Sequence, residues 1–236
     1  MHLLINSDST SSGSGKSYIA SALVKLLNSQ KYMYNAIQVS LDDFYLGHHE
    51  RALLRERNPG NELLKVRGQP GTHDADLALE FFEQLCSNGE SGKARLWIPS
   101  FDKSLFQGDG DRLPRSQWPS LNGPLDILVF EGWCLGFQAL PEDELIYAAA
   151  NKAGQQQLLP TKTLADHRLE DLLCVNRCLR HYNDTFLGPQ HFNFMVHLDT
   201  DDLANVYTWR LEQERELWRT KGTGMSDFQV VEFGTC

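Results

Sequence analysis

The residues best suited to chemistry are Lys16 and Ser17, which close the run Ser12-Gly13-Ser14-Gly15-Lys16-Ser17. An apolar run, His2-Leu3-Leu4-Ile5, precedes it, and Tyr18 to Leu27 follows with helical spacing. An extended segment, a glycine turn, Lys-Ser and a helix together make a phosphate cradle. Gly13, Ser14 and Gly15 would turn backbone N–H groups onto phosphate oxygens. Lys16 would reach the β- and γ-phosphates of a nucleotide, and the Ser17 hydroxyl would hold Mg²⁺. The positive end of the helix dipole adds to that attraction. The usual pattern, G-x-x-x-x-G-K-[ST], begins with glycine, and Thr10 stands at that position here. A flexible Ser/Gly linker is the competing reading, and the periodic apolar flanks on both sides favour the cradle.

Carboxylates recur where strands are expected to end. Asp42-Asp43 closes the strand predicted over Tyr34 to Leu41, and Glu131 closes the one over Leu125 to Phe130. Ligands of open α/β sheets bind outside the carboxyl ends of the strands. Carboxylates beside a phosphate cradle suit Mg²⁺-assisted phosphoryl transfer, and one within reach of an acceptor hydroxyl can take its proton. Asp42 is preferred as that base, with Asp43 its rival, because adjacent strand residues face opposite ways. Ser17, Asp42 and Glu131 form the expected metal set.

Transferred phosphoryl charge must be neutralised. The cations available are Arg67, Lys103, Arg112, Arg210, Arg215 and Lys221, each of which taken alone reads as a surface ion pair. Arg67 lies in the turn-rich stretch Arg67-Gly68-Gln69-Pro70-Gly71-Thr72-His73-Asp74. Tyr45 and Trp133 follow the carboxylates and could line a small pocket, whereas Phe44 and Phe137 read as core. His73 and His197 read as structural rather than catalytic, with a substrate contact left open for His73.

These residues need a scaffold that gathers strand ends. Helices are predicted over Lys16 to Asn28, Ala75 to Cys86, Ala165 to Tyr182 and Asp201 to Trp218. Asp74 would cap the second of them. His48 to Leu64 reads as partly helical and broken at Asn58-Pro59-Gly60. A short extended piece is expected at Arg95 to Pro99, an irregular surface segment over Ser100 to Gly123, and a further strand over Phe192 to Leu198. The near-continuous apolar run at Leu125 to Phe130 predicts a central strand covered on both faces. Alternating strands and helices predict an α/β fold, a doubly wound, mostly parallel sheet with helices on both faces.

With 236 residues, 41% hydrophobic and 22% charged, the chain can build one sizeable domain. A net charge of −9 argues against a general nucleic-acid binder but leaves room for a small anionic ligand held by local positive charge. No apolar run approaches the roughly 20 residues of a membrane span. The five cysteines are scattered, without a C-x-x-C pair, and His2 to Ile5 is too short for a secretory signal. A reducing, cytoplasmic setting is the expectation.

Four motifs in order carry a resemblance. They are Leu41-Asp42-Asp43-Phe44-Tyr45-Leu46, the stretch from Arg67 to Asp74, Pro99-Ser100-Phe101-Asp102-Lys103-Ser104 with Gly110-Asp111-Arg112, and Glu131-Gly132-Trp133-Cys134-Leu135-Gly136-Phe137. They resemble the D-glycerate 3-kinase group, with its fungal ATP-dependent kinase homologues, among the P-loop kinases that include uridine kinase, pantothenate kinase and phosphoribulokinase. Trp209 to Glu214 and Lys221 to Asp227 look like that group's lid region. The resemblance implies a P-loop kinase fold, ATP and Mg²⁺, and γ-phosphoryl transfer to a small-molecule hydroxyl, most simply that of D-glycerate. It also implies Asp42 as base, Glu131 near the metal and Arg210 closing on phosphate, with Asp43, Tyr45, Arg67, Asp74, Lys103 and Arg112 on the substrate side. One domain spanning residues 1–236 is expected, shortened or altered at both ends relative to that group, with Thr10 the clearest departure. A nucleotide-binding protein of the same fold without turnover is the alternative.

Overall fold

The computed structural model describes residues 2–7, 15–91, 95–151 and 166–198, with Leu211, Glu212, Arg215, Trp218, Arg219 and Gly222. In chain order the elements are β1 (His2–Ser7), α1 (Lys16–Leu27), β2 (Ala36–Ser40), α2 (His48–Arg57), α3 (Ala75–Ser91), β3 (Leu96–Trp97), β4 (Phe101–Asp102), β5 (Asp111–Arg112), β6 (Ser120–Leu121), β7 (Ile127–Glu131), α4 (Glu142–Asn151), α5 (Leu169–Tyr182) and β8 (Phe194–Leu198). The main sheet is parallel throughout, in the order β2-β7-β1-β8.

β7 lies inside the sheet because it is apolar on both faces. All five of its residues are buried. Ile127 and Val129 pack with Ile5, Ala20 and Ala36 under α1. Leu128 and Phe130 face the other way, into a larger core with Val39, Leu41, Phe44 and the α3 residues Ala78, Phe81, Phe82 and Leu85. Each valine, leucine, isoleucine or phenylalanine among them contributes roughly 1.5–3 kcal/mol when fully buried. This alternation puts α1 on one face and α3 on the other, the α/β layering expected from the sequence.

Register then aligns the strand ends. Ser40 of β2 and Ile5 of β1 both stand opposite Glu131 of β7. The Gly132 N–H continues the pattern, donating to the Ile5 carbonyl at 3.1 Å. Three strands therefore deliver their carboxyl ends to one edge.

The structure corrects several expectations. The segment over residues 100–123 is not simply irregular: β4 pairs antiparallel with β5, and β6 turns back onto β3. Strands of two residues carry no periodic signal. α4, a ten-residue helix, was not foreseen. α5 begins at Leu169, with Arg168 at its N-cap, rather than at Ala165, and runs into a π-helical turn at Asn183–Leu187. α3 extends past Cys86 to Ser91. The predicted late helix over residues 201–218 and the lid region fall largely outside the described residues.

Candidate active site

Gly15 is the N-cap of α1 and sits in the left-handed region, φ 81°. A Cβ there would meet nothing within 4 Å, so backbone conformation rather than crowding favours glycine. The turn of chain it permits places Lys16 and Ser17 at the start of the helix. Lys16 is only 6% exposed. The Ser17 hydroxyl donates to Glu131 Oε1 at 2.7 Å, joining the helix start to the end of β7. Glu131 is 4% exposed. Burial pushes its pKa up, the Asp42 charge pushes the same way, and hydrogen bonding from Ser17 with the Lys103 charge opposes both.

β2 ends in a tight turn, Leu41–Phe44, that separates the two adjacent aspartates. Ser40 Oγ accepts the Asp42 N–H at 3.3 Å, and Asp43 Oδ2 accepts the Ser40 N–H at 3.2 Å, a reciprocal cap. Asp43 Oδ1 accepts the Phe101 N–H at 3.3 Å. Asp43 thus fastens β4 to the turn, with both carboxylate oxygens on backbone donors. Burial raises its pKa to about 6, the neighbouring Asp42 charge adds to the rise, and the backbone N–H groups restrain it.

Asp42 takes the other direction. Its Oδ2 is paired with the Lys103 ammonium, and the Tyr45 side chain lies nearby. Burial alone would raise the Asp42 pKa. The adjacent Lys103 charge and hydrogen bond, helped by His73 and Tyr45, outweigh burial and hold the carboxyl well below the usual carboxylate range. Asp42 is an ionised group with an ordered cation beside it.

Around this pair the other predicted residues act mainly as struts. Arg67 donates to the Gly108 carbonyl, and to that of Asp109 at 2.9 Å. Arg112 bonds the Tyr45 carbonyl at 2.9 Å and pairs with Asp74 at 2.9 Å. Asp74 also caps α3, as expected, its Oδ1 accepting the Leu77 N–H at 3.0 Å. Trp133 donates to the Gly68 carbonyl at 3.0 Å and so anchors the turn that carries Arg67 and His73. Tyr45 is buried and stacks on His73 with centroids 4.4 Å apart. Gly13, Ser14, Arg210 and Lys221 lie outside the described residues, and Arg215 is exposed.

Arg51 and Tyr182 were missed in the sequence, whereas His73 was noted there as structural with a substrate contact left open. Arg51, in α2, is 1% exposed. It donates to the Gly110 carbonyl at 2.7 Å and faces Asp109 at 3.4 Å. Nothing in α2 separates it from Arg55 and Arg57, because its burial comes from the distant loop that closes over it. Tyr182 reaches the turn before α3, its hydroxyl accepting the Gly71 N–H at 2.8 Å. At Gly71, φ is +103° and an added Cβ would stand 3.0 Å from Cys178 Sγ, so this turn has no room for a larger residue. His73 is 4% exposed, and burial pulls its pKa down to about 4, so the ring is neutral near neutral pH.

Ser17, Glu131 and Asp42 offer hard oxygen donors, which suit Mg²⁺. Burial raises Glu131 and the Asp42 charge adds to the rise; a divalent cation near the carboxylates would offset that repulsion. Among the described residues no three His, Cys, Asp or Glu side chains cluster closely enough to hold a metal alone.

Comparison with known proteins bears on this edge of the sheet. No family model matches the chain. The protein named Probable ATP-dependent kinase TDA10, of Saccharomyces cerevisiae, is 35% identical over 231 residues, covering 94% of this chain and 70% of the relative. The chain belongs to the D-glycerate 3-kinase and TDA10 group of P-loop kinases. Within that group, the chloroplastic D-glycerate 3-kinase of Arabidopsis thaliana is 36% identical over 221 residues, 94% of this chain. The chain spans 43% of that plant relative's length. The solved D-glycerate 3-kinase from Cryptococcus neoformans superposes with a TM-score of 0.82 at 32% identity, covering 100% of this chain and 76% of that one. Membership of a small-molecule kinase family matches the observed parallel α/β sheet. No helix among the described residues is long and apolar enough to cross a membrane.

Proposed function

We propose that this chain transfers the γ-phosphoryl group of ATP, with Mg²⁺, to a hydroxyl of a small anionic metabolite, D-glycerate being the acceptor. The observation that carries the reading is the Asp42–Lys103 pair, set beside the Ser17–Glu131 hydrogen bond at one sheet edge. An ionised carboxylate and an ordered ammonium stand where a phosphate-loop helix begins.

Lys16, at the helix start, binds nucleotide phosphate. Ser17, Glu131 and Asp42 would hold the metal, which would supply neutralisation of phosphate charge. Asp42 accepts the proton of the acceptor hydroxyl. Lys103 keeps Asp42 ionised until the acceptor arrives. When Lys103 turns to the transferred phosphoryl group, Asp42 loses its cation and its affinity for a proton rises. In a loose transition state the equatorial oxygens carry the charge, so the cations matter at least as much as the base. Arg67, Lys103 and Arg112 supply the positive surroundings of an anionic acceptor, while Asp43, Tyr45 and Asp74 hold the walls in place. Arg210 closes on phosphate from the late segment, a role that rests on its motif.

Relatives whose names specify D-glycerate support that acceptor. Free Cys86, Cys134, Cys174 and Cys178 support a reducing, cytoplasmic setting. The test is coupled ADP release with D-glycerate, uridine and pantothenate in parallel. D-glycerate-dependent ADP is the expected result. ATP binding with no acceptor-dependent ADP from any hydroxylated metabolite would refute the kinase reading and leave a nucleotide-binding protein without turnover.

A further inference from the structure

We infer that His73 presents its Nε2–H as a hydrogen-bond donor to the phosphoryl acceptor held at Asp42, and that Tyr182 fixes the ring in the tautomer that makes this possible. The target of the donor rests on the kinase reading above; the tautomer does not.

The tautomer follows from counting lone pairs. The Tyr182 hydroxyl oxygen accepts two backbone N–H groups, from Gly71 at 2.8 Å and from His73 at 3.3 Å. A phenolic oxygen has then no acceptor capacity left. His73 Nδ1 lies 3.4 Å from that oxygen. A proton on Nδ1 would point at a saturated acceptor, so the contact works only with the Tyr182 proton directed toward Nδ1, shared with the His73 carbonyl at 3.4 Å. A neutral imidazole with Nδ1 accepting carries its proton on Nε2.

That Nε2 is buried and has no hydrogen-bond partner among the described residues. Buried donors left unpaired are rare, and each calls for an explanation in the site around it. Here the site is the reacting edge. The ring stacks on Tyr45 at an interplanar angle of 20°, and both side chains feel the Asp42 charge. Asp42 is not the partner of Nε2 either: Asp42 Oδ2 is taken by Lys103, and no hydrogen bond joins the carboxylate to the ring. An acceptor molecule that displaces Lys103 from Asp42 brings oxygen atoms beside a donor that lacks one. A neutral donor of this kind orients an oxygen without competing with Asp42 for the proton.

The experiment combines ¹⁵N-histidine spectra with acceptor kinetics on the full chain. The wild-type spectrum should show His73 as the Nε2–H tautomer, and Tyr182→Phe should lose that single tautomer. In coupled ADP release, His73→Phe should raise the acceptor KM about tenfold, the size of one lost hydrogen bond. The ATP KM should stay put, and His73→Gln, which restores a terminal N–H, should recover most of the loss. Tyr182→Phe should raise the acceptor KM as well. An Nδ1–H tautomer in the wild type overturns the inference. So does an unchanged acceptor KM in His73→Phe. If His73→Phe fails to fold, the wild-type tautomer and the Tyr182→Phe kinetics decide the matter. A wild type without acceptor-dependent ADP overturns the kinase reading and the donor's target together, and that result is seen before any variant is made.

Discussion

The Asp42–Lys103 pair can be tested as a matter of stability, without substrate. Lys103→Met keeps the length of the side chain and removes its charge. The two side chains are 19% and 39% exposed, so the pair lies between a surface ion pair, worth up to about 1 kcal/mol, and a buried one, whose breaking costs about 3–5 kcal/mol. Discounted for that exposure, the expected loss is about 1–2 kcal/mol, a fall of roughly 2–8 °C in Tm for a chain of this size. Asp42→Asn should cost less, because a lone Lys103 can turn to water. Asp42→Asn with Lys103→Met should be about 1–2 kcal/mol more stable than the sum of the single losses implies. The assay is urea unfolding at pH 7.5. Repeating it at lower pH fixes the sign. In the wild type Asp42 is depressed, so its contribution is full above the unfolded carboxylate value and is lost only in strong acid. In Lys103→Met, burial and the Glu131 charge raise Asp42 instead, and the penalty shrinks as acid protonates it. The gap between wild type and variant should therefore narrow from pH 7.5 to pH 5. Losses that add to within a few tenths of a kcal/mol, or a gap unchanged by pH, would refute the reasoning.

Other expectations concern single residues. Asp42→Asn should lower kcat by about 10²–10⁴ and leave ATP affinity near that of the wild type, whereas Lys16→Ala should weaken both; steady-state kinetics and calorimetry check this. Asp43 has a folded pKa raised from 3.8 to about 6, so its protonation favours the fold as pH falls between those values. Asp43→Asn should lack this term, and unfolding at pH 4.5 and pH 7 should show the wild type gaining on the variant in acid, by on the order of 2 kcal/mol. Arg51→Met removes a buried donor from the Gly110 carbonyl and should cost about 2–3 kcal/mol, read as a drop in Tm of roughly 5–10 °C.

The parts of the fold that were legible in the sequence are those with local signals. The apolar run at Ile127–Glu131 declares a buried strand in its own residues, and Asp74 before an apolar helix declares a cap. Asp42, Glu131 and Ser17 could be gathered because strand ends and a phosphate-loop helix share one edge in parallel sheets. What escaped depends on distant chain. Arg51 is buried only once residues 106–110 fold over α2. The split between Asp42 and Asp43 is decided by Lys103 and the Phe101 N–H, some 60 positions away along the chain. His73 looked structural because its missing partner cannot be read from a string of letters, and Tyr182 lies at the far end of a helix with no motif to mark it. β4 and β5 pair over two residues each, too short for alternation to appear.

The opposed positions Ile5, Glu131 and Ser40 have a consequence for how the chain can change. Alternate strand residues point to opposite faces, so inserting one residue within β7 would carry Glu131 away from Ser17 and toward the α3 layer. The same insertion further ahead of Ile127, before Pro124, would fall in the connecting chain and leave the phase of the strand unchanged. The carboxyl rim of the sheet should therefore tolerate length variation poorly, because the Ser17–Glu131 hydrogen bond and the Gly132–Ile5 backbone bond both depend on that phase.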